Sequence, residues 1–145
     1  MRIRNEERAS QLAGIAEQFG LADIYVFGSR ADELLSSSDA AFHSPDLAES
    51  DVDIAIRPRR GITFSPQDRV ELTLALERAL AVRQVDLVVL PEASPFLALA
   101  AIRGHLLFCA DALDQAEYEL FVLRRAGDLA PLERERQQII LSGGR

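Results

Sequence analysis

The chain predicts an α/β fold (α+β in its detail): a small mixed β-sheet with helices packed around it. Three observations predict it. Short β-type apolar runs alternate with stretches of helical period. Two of those stretches open on the same start signal, Ser65-Pro66 and Ser94-Pro95. No internal repeat or linker divides the chain, so its 145 residues read as one domain, 1–145, large enough to bury a core.

The elements follow in order. Leu12, Ile15, Ala16 and Phe19 recur at helical spacing and Gly20 follows as a stop, which predicts an opening amphipathic helix. Ile24-Tyr25-Val26-Phe27 is a β-type run ending at Gly28, and Ser29 to Leu35 reads as the first turns of a helix. The Ser-, Ala- and Asp-rich stretch 36–49, with His43 and Pro45, is expected as an extended exposed loop. Asp51 to Ile56 is a second strand, limited by Pro58. Ser65-Pro66-Gln67-Asp68 supplies an N-cap, a first-turn proline and an acid, and Leu72, Leu76 and Leu80 form the following stripe, widened by Val70 and Leu74. Val85 to Leu90 is nearly continuous in apolar residues, as expected for a strand covered on both faces. Ser94-Pro95 starts a helix to Arg103 with Gly104 as the stop, and His105 to Cys109 is expected at a sheet edge. From about Asp114 the pattern is helical, with Tyr118, Phe121 and Val122 on a core face. Gly127-Asp128 is expected to break that helix and Pro131 to start a last one towards Leu141, before a frayed 142–145.

Charge narrows the function. The net charge is −7, and all 16 basic residues are Arg. Without Lys there is no P-loop lysine and no Schiff-base nucleophile. An acidic domain is poorly suited to nucleic-acid backbones, where affinity comes largely from counterion release. His43 and His105 form no metal-spacing motif, and Cys109 is alone, so no internal disulfide forms and a reducing cytoplasm is the expected setting. The first residues lead into a charged helix rather than a signal peptide, and no apolar run is long enough to span a membrane.

The chemistry is carried by acids. Side chains alternate along a strand, so Asp51 and Asp53 share a face while Val52, Ile54 and Ile56 take the other. Like charges this close repel unless a cation lies between them, and Mg²⁺ is satisfied by a few carboxylates plus phosphates and water. Asp86 completes the set if its strand lies beside theirs, giving three acids able to hold two divalent ions. Gly28 allows backbone to approach a phosphate, Ser29 adds a hydroxyl, and Arg30 adjoins the turn as a phosphate candidate. Each also has a plain structural role: a strand-to-helix turn at Gly28-Ser29, a solvated Asp53, an Asp86 paired with Arg83. Arg57, Arg59 and Arg60 read first as a solvated loop, and Arg124-Arg125 as surface.

Gly28-Ser29-Arg30-Ala31, Ser50-Asp51-Val52-Asp53 and Val85-Asp86-Leu87-Val88 together resemble the signature of the DNA polymerase β-like nucleotidyltransferases. Within that superfamily the chain is most similar to the minimal nucleotidyltransferases, the MNT or MntA-like antitoxins, and the likeness extends through 91–111 and the final helices. The resemblance implies a polymerase β-like fold, Asp51, Asp53 and Asp86 as Mg²⁺ ligands, and Gly28 and Ser29 on the triphosphate of ATP. It also implies a partner, a helical HEPN-type ribonuclease toxin silenced by adenylylation of a tyrosine. Two features depart from the pattern. Asp32-Glu33 stands where the family usually carries a second Gly, and the spacer before the Asp pair is longer. The expected activity is therefore AMP transfer from ATP to a protein hydroxyl. The alternatives are an antitoxin that neutralises by binding alone, or a small-molecule nucleotidyltransferase.

Overall fold

Leu12, Ile15 and Ala16 lie on one helical stripe, and their burial seats the first helix, α1 (Arg2–Phe19), against the sheet. The structure is a computed structural model that describes residues 2–36 and 51–141. The loop expected over 36–49, with His43, therefore falls outside the described residues, save Ser36, and so does the end at 142–145. The elements after α1 are β1 (Leu21–Phe27), α2 (Ala31–Ser36), β2 (Val52–Pro58), α3 (Pro66–Leu80), β3 (Val85–Val89), α4 (Pro95–Ile102), β4 (His105–Cys109) and α5 (Ala112–Leu141). A single 3₁₀ turn, Leu90–Glu92, links β3 to α4.

The four strands form one mixed sheet in the order β3-β2-β1-β4. β2 pairs with β3 in parallel, whereas β1 is antiparallel to both β2 and β4. Alternation sorts the side chains into two cores. Ile24, Val26, Val52, Ile54 and Ile56 pack with α1 and with Leu72, Leu76 and Leu80 of α3. Tyr25, Phe27 and Ala55 face the other way, against Ala98 and Ala101 of α4 and Val122 of α5. As the strand covered on both faces, β1 buries all seven of its residues.

The helix starts behave as their residues dictate. The Ser65 hydroxyl accepts from the Asp68 amide at 3.0 Å while the Asp68 carboxylate accepts from the Ser65 amide at 2.9 Å, a reciprocal cap. Ser94 accepts from the Leu97 amide at 3.2 Å to open α4. The expected edge position of β4 also holds.

Four expectations are corrected. The strand Val85–Val89 is the other edge of the sheet, with Asp86 exposed and Leu87 and Val88 only half-buried; its apolar run packs one face on α3 and leaves the other partly open. Val70 and Leu74 are exposed and do not widen the buried stripe of α3. α5 runs unbroken through Gly127 and Pro131. Glycine within a helix costs only about 1 kcal/mol relative to alanine, and at this exposed site water can take the carbonyl that Pro131 leaves unpaired. Its start moves forward to Ala112 because Asp111 caps it, accepting from the Leu113 and Asp114 amides at 2.9 and 3.2 Å. Phe121, finally, is exposed rather than core.

Candidate active site

Strand direction alone gathers the candidate residues. Because β1 runs against its neighbours, it ends where β2, β3 and β4 begin. Gly28 just past β1, Asp53 and Asp86 as second residues of β2 and β3, and His105 opening β4 therefore meet at one end of the sheet. The register is tight: Phe27 lies opposite Asp53, and Asp53 opposite Asp86. Asp53 points to the face of Tyr25 and Ala55, beyond the cover that α4 and α5 give that face.

Asp53 is held in an environment that resists ionisation. Burial comes first, then the charges of Asp86 and Asp51, then a hydrogen bond with Asp86, and together they raise its carboxyl above the ordinary value of 3.8. The crowding of negative charge that raises the Asp53 carboxyl is what a divalent cation between the two acids would relieve. Gly28 backs directly onto this carboxylate. It has φ +84°, and a Cβ there would collide with Asp53 Oδ2.

The other candidates are less closely drawn in. Asp51 precedes β2, is exposed, and reaches Asp53 through charge. Among the described residues no three His, Cys, Asp or Glu side chains already stand together as a ligand set. The contact is thus a pair, Asp53 with Asp86, flanked by Asp51. Ser29 is exposed, and Arg30 is half-buried with its guanidinium 2.9 Å from Glu33 Oε2. The pair still fits a hard divalent ion: its donors are all oxygen, neighbouring negative charge raises the Asp53 carboxyl, and Gly28 has no Cβ to crowd it.

Several polar contacts were not foreseen. Asp23 is fully buried in β1, and its Oδ2 accepts from Arg57 Nε at 2.5 Å across the β1–β2 pair. Arg57 also reaches Asp114 at 2.8 Å and lies 4.6 Å from the Tyr118 ring centroid, so it is a clamp between sheet and α5 and not part of a solvated loop. Even so, burial outweighs the guanidinium and pushes the Asp23 carboxyl up. The Tyr25 hydroxyl accepts from Gln115 at 2.8 Å and donates to Glu119 at 3.3 Å. The available signal was an acid inside an apolar run with an arginine ending the next one. At the site end, His105 Nε2 lies 2.8 Å from Asp32 Oδ1, a contact between residues 73 apart in sequence that no local pattern announces.

A four-stranded mixed sheet flanked by helices, with a glycine turn and two strand acids at one end, defines the class: a nucleotidyltransferase domain. The family model described as Polymerase beta, Nucleotidyltransferase matches residues 11–113, and the chain belongs to that family. No curated protein matches the sequence significantly. Solved structures share the fold over nearly its full length. A toxin–antitoxin complex with AMP-PNP contains a chain 26% identical to this one at TM-score 0.62, the match covering 94% of this chain and 98% of that one. A complex of a tri-AMPylated Shewanella oneidensis HEPN toxin with an MNT antitoxin gives 25% identity, TM-score 0.61, and coverage of 97% and 99%. A mutant MntA–HpeT complex with two aspartate-to-glutamate changes gives 26%, 0.63, 94% and 98%. Among the described residues no helix is long and apolar enough to cross a membrane.

Proposed function

We propose that this chain transfers AMP from ATP to a hydroxyl of a partner protein, a HEPN-type toxin, as the antitoxin of a toxin–antitoxin pair. The observation that carries the reading is the pairing of Asp53 with Asp86 on adjacent parallel strands, with Gly28 against the Asp53 carboxylate. Asp53 and Asp86 would hold Mg²⁺ with Asp51 joining them, and Gly28, Ser29 and Arg30 would receive the triphosphate. When bound, magnesium neutralises phosphate charge and lowers the pKa of the attacking hydroxyl. The rest is positioning by the chain's own groups. Gly28 lets backbone come close to the phosphates, the exposed Ser29 hydroxyl donates to one, and Arg30 turns from Glu33 to neutralise another. The exposed Asp86 carboxylate accepts the proton of the acceptor hydroxyl. The acceptor oxygen then bonds to the α-phosphorus as the bond to the β-phosphate breaks, and pyrophosphate leaves.

A protein acceptor suits an acidic, lysine-free domain better than a nucleic acid does. The AMPylated HEPN toxin found with an MNT antitoxin supports the same choice. ATP as donor makes the cytoplasm the setting. Labelled ATP, Mg²⁺ and the toxin partner are incubated with the native chain and with Asp53→Ala. Label moves to the partner only with the native chain; no transfer, or equal transfer from the variant, overturns the reading. The engagement of Arg30 by Glu33 favours a second reading, neutralisation by contact alone. That reading requires an Asp51→Asn/Asp53→Asn double variant to neutralise the toxin fully.

A further inference from the structure

His105 is a titratable side chain at the site end of the sheet that the proposed reaction leaves without a role. Its position is dictated from behind. A Cβ on Gly104 would collide with the Val26 carbonyl and the Phe27 side chain, so the chain enters β4 hard against the last residues of β1. That brings His105 opposite Val26, two residues ahead of Gly28.

From there its ring meets Asp32 in the first turn of α2. α2 is six residues long, too short to be stable by itself. Its backbone is tied to the turn by the Ala31 amide donating to Gly28 O at 3.3 Å and the Leu34 amide donating to Arg30 O at 3.1 Å. Ala31 and Leu34 anchor it below. On the exposed side the His105–Asp32 bond ties it to β4. Both acids of the first turn of α2 are thus engaged, Asp32 with His105 and Glu33 with Arg30.

We propose that His105 is a positioning residue for the nucleotide: through Asp32 it holds the Gly28-Ser29-Arg30 turn in place and draws an acidic side chain aside from the triphosphate. The inference rests on the nucleotide-binding reading above. Holding the turn before ATP arrives spares the ordering that binding would otherwise require.

Two measurements test it on the intact chain. In nucleotide-free protein, hydrogen exchange is followed at the Ala31 and Leu34 amides; with Mg²⁺, ATP affinity is measured by calorimetry. His105→Ala speeds exchange at both amides and weakens ATP binding, each about threefold, as expected for loss of a contact between two exposed side chains. The melting temperature falls only slightly, by about 2 °C, so the fold is retained. His105→Gln restores both quantities, because its side-chain amide can still donate to Asp32. Asp32→Ala weakens binding less when added to His105→Ala than it does in the native chain. Native exchange and affinity in His105→Ala, or a glutamine variant as impaired as the alanine one, overturns the proposal. A native chain that binds no ATP defeats the nucleotide reading instead, and the exchange rates still decide whether His105 holds the turn.

Discussion

Replacing Asp53 by Asn should make the metal-free protein more stable while abolishing its chemistry. Asp53 and Asp86 are register partners on adjacent parallel strands, which run about 4.8 Å apart. Two unit charges about 5 Å apart repel by about 3 kcal/mol at an effective dielectric of about 20, and by about 1 kcal/mol in water. Asp86 is exposed, which favours the lower figure. For a chain of this size 1 kcal/mol moves the melting temperature by about 3 °C, so Asp53→Asn in chelator at neutral pH melts about 3 °C higher than the native chain. The sign follows from the direction of the shift. The folded carboxyl is raised, so this group's stabilisation is complete below the ordinary value of 3.8 and is lost as pH rises through the folded value. The variant's advantage is therefore absent near or below that ordinary value and full at neutral pH. Excess Mg²⁺ closes the gap, because only the native pair gains from the ion. Scanning calorimetry across pH, with and without Mg²⁺, reads all three effects. A variant that melts lower than native in chelator at neutral pH refutes the electrostatic reasoning.

Three further substitutions probe the frame around the pair. Gly28→Ala forces a side chain into left-handed backbone and against the Asp53 carboxylate, so it should lose about 1–3 kcal/mol of stability in urea titration and most of its ATP binding. Arg57→Ala leaves Asp23 buried without its cation, when its Oδ1 already lacks a partner, and should cost about 3–5 kcal/mol by the same titration. Ser65→Ala removes the acceptor of the Asp68 amide and should cost about 1 kcal/mol, with transfer activity unchanged in the labelled-ATP assay.

The legible parts of the sequence were those governed by neighbours in the chain. Ser65-Pro66 and Ser94-Pro95 specify their helices through hydrogen bonds three residues long. The spacing of Val52, Ile54 and Ile56 fixed which face Asp53 must take, and Gly28 ended its strand as expected. What escaped depends on strand order. The apolar run starts at Ile24, but β1 begins at Leu21, because the β1–β2 register gives the buried Asp23 its partner Arg57. The apolar run at Val85 could not reveal that it lies at a sheet edge. Gly127 and Pro131 imitated a helix boundary, although breakers at an exposed position can be tolerated. Asp51, expected beside Asp53 on the strand, stands just outside it and is exposed.

ATP titrated into the native chain and into Asp53→Ala, each with Mg²⁺ and with chelator, tests the paired-acid site most directly. Heat of binding should appear only for the native chain with Mg²⁺. Equal affinity in all four titrations would mean that the Asp53–Asp86 pair holds no metal for the nucleotide.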